Sequence, residues 1–105
     1  EARLVGFRAI RDRFIDALRE GRYDHELRDV LAEKNLLAVG DVSADRVILL
    51  LQRCRGSRHR AGPHDLDRSL TVHSFRPVVR GRESYVKGYF LGEIAVFISV
   101  HPAER

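Results

Sequence analysis

The chain has 105 residues, room for one domain built on one core. Its 44% hydrophobic and 32% charged residues describe an ordinary globule rather than a disordered chain. The longest apolar run, Val47 to Leu51, is far short of the roughly 20 residues that span a bilayer, and residues 1–20 carry too many arginines and acids for a signal peptide. The single cysteine, Cys54, forbids an internal disulfide and fits a reducing, cytoplasmic setting; it reads as a small buried side chain rather than a nucleophile. The net charge of +4 is unevenly spread: residues 53–82 hold eight arginines against two aspartates. Guanidinium groups suit phosphate, so nucleic acid is the first partner to consider, with a merely solvated basic surface as the plainer alternative.

In chain order, Leu4, Phe7, Ile10, Phe14 and Leu18 recur at helical spacing and predict an amphipathic helix ending at Gly21. A second, shorter helix is expected over about residues 24–34, with Leu27, Val30 and Leu31 facing inward and His25 at the surface. Residues 35–40 form an apolar connector expected to tuck into the core, with a short strand as the alternative. Ser43 reads as the N-cap of a third helix, with Asp45 in its first turn and Gly56 just beyond its end. Residues 53–69 read as a basic loop.

After Gly62 and Pro63 the period changes. Residues 70–76, 84–91 and 93–101 are rich in Val, Ile, Phe, Tyr and Thr and predict three strands, the last two joined tightly at Gly92 and Glu93. Strict alternation in the last strand puts Ile94, Val96, Ile98 and Val100 on one face and Ala95, Phe97, Ser99 and His101 on the other, both largely apolar, as in an interior strand. In the preceding strand Tyr85, Lys87 and Tyr89 share a face opposite Val86, Gly88 and Phe90. Helices followed by strands give an α+β fold, with helices packed on one face of a small antiparallel sheet.

Phosphate-binding glycine loops, paired-cysteine zinc spacings and nucleophile elbows are absent from the sequence. A metal site built from His59, His64 and His73 is disfavoured by the surrounding positive charge, so no metal or cofactor is expected. What remains is polar: Arg53, Arg55, Ser57, Arg58, His59, Arg60 and His64 in the loop, then His73, Arg76, Tyr85, Lys87 and His101 on the strands. Metal-free RNA cleavage needs a base for the ribose 2′-OH, cations for the phosphorane, and an acid for the leaving 5′-oxygen. Histidine and tyrosine can move those protons, and lysine and arginine can supply the field. Taken singly, His101 also reads as the polar end of a strand, Tyr85 and Tyr89 as packing residues, and His73 as a strand-face histidine.

Four pieces of the last third, namely Phe75-Arg76-Pro77, the turn Arg80-Gly81-Arg82, Ser84-Tyr85-Val86-Lys87 and Val96-Phe97-Ile98-Ser99-Val100-His101, resemble the motility quorum-sensing regulator (MqsR) family of RNase toxins, part of the RelE-like group. The resemblance implies a RelE-like α+β toxin of a type II toxin–antitoxin system, an endoribonuclease that cuts mRNA, restrained by an antitoxin protein and with the ribosome as a further candidate partner. It implies that Tyr85 and Lys87 match the family's strand tyrosine and lysine, and that His101 stands where the family has a carboxyl-terminal lysine. Arg58 falls near the family's loop lysine, in a stretch that here reads Arg58-His59-Arg60. The family's glutamine ahead of the aromatic-Arg-Pro has no counterpart, though His73 lies nearby. The catalytic set expected on these grounds is His101, Tyr85, Lys87, His59 and His73, with Arg55, Arg58, Arg60 and Arg76 binding RNA. Two other classes remain open: a non-catalytic RNA- or DNA-binding module, and a protein-interaction domain whose arginines meet an acidic partner.

Overall fold

In the computed structural model, which describes residues 6–28 and 34–103, the first helix forms as α1 (Phe7–Arg19). Its apolar residues fall three and four apart, so Ile10, Phe14, Ala17 and Leu18 share one buried face. The helix expected third is the second, α2 (Ala44–Gln52), and Ser43 caps it by accepting the Arg46 N–H at 3.1 Å.

The helix expected over about residues 24–34 is not found in its described part. Tyr23–His25 instead forms strand β1, parallel to the last strand of the chain, and Glu26 N–H continues the ladder to Phe97 O at 2.9 Å. An unpaired edge offered by that strand outweighs a weak helical pattern, because its backbone groups need partners. Leu27, expected inside, is 69% exposed, and Val30 and Leu31 lie outside the described residues. The apolar connector tucks in over its first half, where Asn35 bridges to Val100 and Leu37 is buried, while Val39 is exposed.

The stretch expected as a basic loop also gains structure, a 3₁₀ turn at Gly56–Arg58 followed by strand β2 (His59–Pro63). Strand β3 (Thr71–Phe75) follows, then a small separate hairpin of β4 (Val78–Val79) and β5 (Arg82–Glu83), then β6 (Tyr85–Leu91) and β7 (Ile94–His101). The main sheet has the order β1-β7-β6-β3-β2. It is mixed rather than purely antiparallel, because β1 runs parallel to β7 while the other pairs are antiparallel. β7 is interior, as its two apolar faces require. The fold is α+β, with α1 and α2 packed on one face of the sheet.

The β6–β7 hairpin closes at Gly92, whose φ of 59° is the left-handed conformation that a two-residue hairpin turn demands. Strict alternation along β7 fails further on. Lys87 pairs with Ser99 but Gly88 with Phe97, so Ile98 is an extra residue and the strand bulges there. The phase flips as a result. Ala95, Phe97 and Val100 face the helices, while Val96, Ile98 and His101 face the other way.

Phe14 centres the main core, its ring 4.3 Å from Phe90 and 5.5 to 5.7 Å from Phe75 and Phe97. It lies so close to β6 that a Cβ at Gly88 would come within 2.7 Å of Val96 O and 3.3 Å of the Phe14 ring. The opposite face of the sheet is divided. Near residues 26–28 and 64–70 it is covered, and Val72, Tyr89, Val96 and Ile98 form a second, smaller buried cluster there with Leu70. Tyr89 is therefore buried. The rest of that face carries the polar residues.

Candidate functional site

Tyr85 and His101 are direct cross-strand partners on β6 and β7. Lys87 stands two residues along β6, opposite Ser99 on one side and Ser74 of β3 on the other, and Arg60 of β2 stands opposite Ser74. Since Val86 points into the main core, alternation turns Tyr85 and Lys87 away from the helices, and register carries Ser74, Arg60 and His101 with them. Tyr85, Lys87, Ser74 and His101 are half-buried and Arg60 is exposed.

Around this group the contacts are specific. The Arg76 guanidinium lies 4.6 Å above the centre of the Tyr85 ring, and Ser74 Oγ is 3.5 Å from Tyr85 Oη. Glu83 holds Arg76 at 3.5 Å and also pairs with Arg58, whose Nε donates to Arg76 O at 2.9 Å. Arg58 is thus a tether for Arg76 as well as a surface cation. His101 Nε2 is buried and has no hydrogen-bond partner among the described residues. A buried ring nitrogen without a partner is uncommon and costly, which makes it a natural place for a ligand or a moving proton.

His59 and His73 do not join this group. They lie on the helix-facing side of the same sheet, because His59 pairs with Phe75 and Ala61 with His73, two steps apart along that face. Their rings stack at 5.2 Å with His59 Nε2 3.0 Å from His73 Nδ1, between Phe75, Phe7 and Phe14. Burial lowers both pKa values. His73 falls to about 4, through burial first and then the neighbouring charges of His59 and Arg13. Such a ring is neutral near pH 7 and is no proton donor there.

A second polar cluster clasps the covered part of the face. Tyr89 Oη donates to Glu26 Oε1 at 2.5 Å, His64 Nε2 lies 2.9 Å from the same oxygen, and Arg28 takes the other oxygen at 2.8 Å. The backbone N–H groups of Leu66 and Asp67 both donate to His64 Nδ1, so the hydrogen bonds assign the ring proton to Nε2, facing Glu26. Burial alone would raise the Glu26 carboxyl, but the donors from Tyr89, His64 and Arg28 outweigh it and hold it at about 2. Cys54 is buried, which pushes its thiol up. No set of three or more His, Cys, Asp or Glu residues is gathered for a metal among the described residues, and no helix there is long and apolar enough to cross a membrane.

A concavity of about 520 Å³ lies elsewhere, between α2 and the β4–β5 hairpin, with arginines 46, 53, 80 and 82 along it. Arg55 and Arg58 line a smaller neighbouring hollow of about 310 Å³ that shares Arg53. Of the arginines along the groove, Arg46, Arg80 and Arg82 are not among the candidate residues that the sequence suggested. The signal was the spacing Arg46, Leu49, Arg53, which puts a leucine and two cations on one stripe of α2. Compared with known proteins, the chain matches no family model, no curated protein and no solved structure.

Proposed function

We propose that the chain is the toxin of a type II toxin–antitoxin pair, a RelE-like, metal-independent endoribonuclease that cuts mRNA in the cytoplasm and is restrained by an antitoxin protein. The observation that carries this reading is the placement of Tyr85, Lys87 and His101 together on the accessible part of one sheet face. The resemblance of the last third of the chain to RNase toxins supports it, as does the α+β layout with helices on the other face. In this reading His101 and Tyr85 pass the protons, while Lys87 and Arg76 meet the charge that develops on phosphorus. The 2′-oxygen forms a bond to phosphorus as the bond to the 5′-oxygen breaks. One member of the pair takes the 2′-OH proton and the other gives a proton to the 5′-oxygen, leaving a 2′,3′-cyclic phosphate and a 5′-hydroxyl. Arg60, with Arg55 and Arg58 at the edge, holds flanking phosphates. The paired histidines His59 and His73 have no part in the chemistry, because they face the helices.

The test is cleavage of a single-stranded RNA in EDTA beside the same strand carrying a 2′-deoxyribose at the cut position. The RNA is expected to give a cyclic phosphate end and the deoxy strand to survive, while His101→Ala abolishes cleavage in a folded protein. An RNA that is bound and left intact would replace this reading with a non-catalytic binding module. Cleavage of the deoxy strand would remove 2′-OH attack.

A further inference from the structure

We infer that the groove between α2 and the β4–β5 hairpin is a docking site for an acidic, amphipathic segment of a partner protein. Its floor is aliphatic, with Leu49 and Val79, and its rim carries Arg46, Arg53, Arg80 and Arg82. Leu49 is 51% exposed although its helix neighbours Ile48 and Leu50 are buried, so the helix presents an apolar side chain to solvent between two guanidinium groups. Among the described residues, Arg46, Arg53 and Arg80 have no ion-pair partner and no carboxylate lines the groove. Arg80 is also held with φ at 55°, the first residue of a tight turn completed by Gly81 at 75°. That conformation favours glycine or asparagine, so an arginine there is a choice against local stability.

Cations alone would serve RNA as well as protein. The floor decides between them. Single-stranded nucleic acid takes its bases on aromatic faces, and no aromatic ring lines this groove. A segment with leucine or valine on one side and carboxylates beside them satisfies both surfaces at once: its apolar side chains cover Leu49 and Val79, and its carboxylates meet the guanidinium forks. Tyr85, Lys87 and His101 lie outside the groove, so the inference stands or falls separately from the ribonuclease reading.

The probe is a fluorescent peptide of about 15 residues, long enough to form a helix, with leucines on one face and glutamates flanking them. A second peptide has the same composition with the leucines scattered around the helix. The first is expected to bind at least about tenfold more tightly than the second, and Leu49→Ser and Arg53→Ser should each weaken it about tenfold. Leu49 is an exposed position of α2 and Arg53 its exposed C-cap, and thermal melts alongside the wild type confirm that the fold persists. RNA cleavage by the two variants should stay within a few-fold of wild type, since neither residue belongs to the face of Tyr85. Equal binding of the two peptides, or none of either, would overturn the inference. So would oligouridylate binding that Arg53→Ser removes and Leu49→Ser spares, which would make the groove a nucleic-acid channel.

Discussion

His59 Nε2 lies 3.0 Å from His73 Nδ1, and the two rings stack beneath α1 rather than beside Tyr85 and His101. One nitrogen must donate to the other, so the pair is content as two neutral rings and resists a second charge. In the unfolded chain both titrate near 6.5, whereas the folded protein keeps His73 neutral down to about 4. Below pH 6.5 the unfolded state therefore takes up a proton that the folded state refuses. Stability is fully present above 6.5 and falls as pH drops toward 4, by up to roughly 3 kcal/mol from this ring. Thermal melts at pH 7.5 and 4.5 measure the loss. His73→Phe, which keeps the edge-on ring contact with Phe14, should flatten the curve across that window; an unchanged curve would mean that the pair does not control it.

The split between the two sheet faces makes a prediction about activity. Lys87→Met keeps the aliphatic stem and removes the charge, so cleavage should fall about a hundredfold or more, the usual effect of removing a preorganised charge-stabilising contact. His59→Ala and His73→Ala should instead lower the melting temperature and leave the rate per folded molecule within a few-fold. Single-turnover cleavage of a short RNA by the three variants separates the cases. A Lys87→Met rate near wild type would exclude this face as the site.

Much of this arrangement was legible in the sequence, and what was not has a physical cause. Ser43, the apolar period of α1 and the Gly92 turn are local signals, and each appears where the residues put it. β1 is not local. Its three residues become a strand only because the edge of β7 lies beside them, and no periodicity in three residues reports that. The candidate site behaves the same way. Tyr85 and Lys87 share a face by counting along one strand, but relating them to His59 and His73 needs the register of β3 and β2, and relating them to His101 needs the bulge at Ile98. A one-residue shift in any of these moves a histidine from one face to the other.

Glu26 predicts a second, more acidic transition. Its carboxyl is held at about 2 by Tyr89, His64 and Arg28, against an ordinary value near 4.5. Its contribution is complete above pH 4.5 and is lost as pH falls toward 2. Tyr89→Phe removes the 2.5 Å donor and should cost about 1.5–3 kcal/mol near neutral pH, the range for hydrogen bonds to charged groups. It should also move acid unfolding to higher pH, because the carboxyl then protonates sooner. A Tyr89→Phe protein with wild-type acid stability would show that the clasp does not hold residues 26–28 to the sheet.

Arg80 is where stability and binding should move in opposite directions. The β4–β5 turn has two central residues, both with positive φ, and Val79 pairs with Arg82 across it. Asparagine followed by glycine is the preferred pair for such a turn, whereas an arginine backbone in the left-handed region costs roughly 1–2 kcal/mol. Arg80→Asn should therefore stabilise the protein by about 0.5–1 kcal/mol, a rise of a few degrees in Tm for a domain of this size. The same change removes one guanidinium from the groove rim, so the amphipathic acidic peptide should bind severalfold more weakly. Calorimetry and peptide titration of one variant give both numbers. A lower Tm would mean that the Arg80 side chain supports the hairpin, and an unchanged affinity would take it out of the docking site. A higher Tm with weaker binding is the signature of a residue kept at a strained position for what it touches.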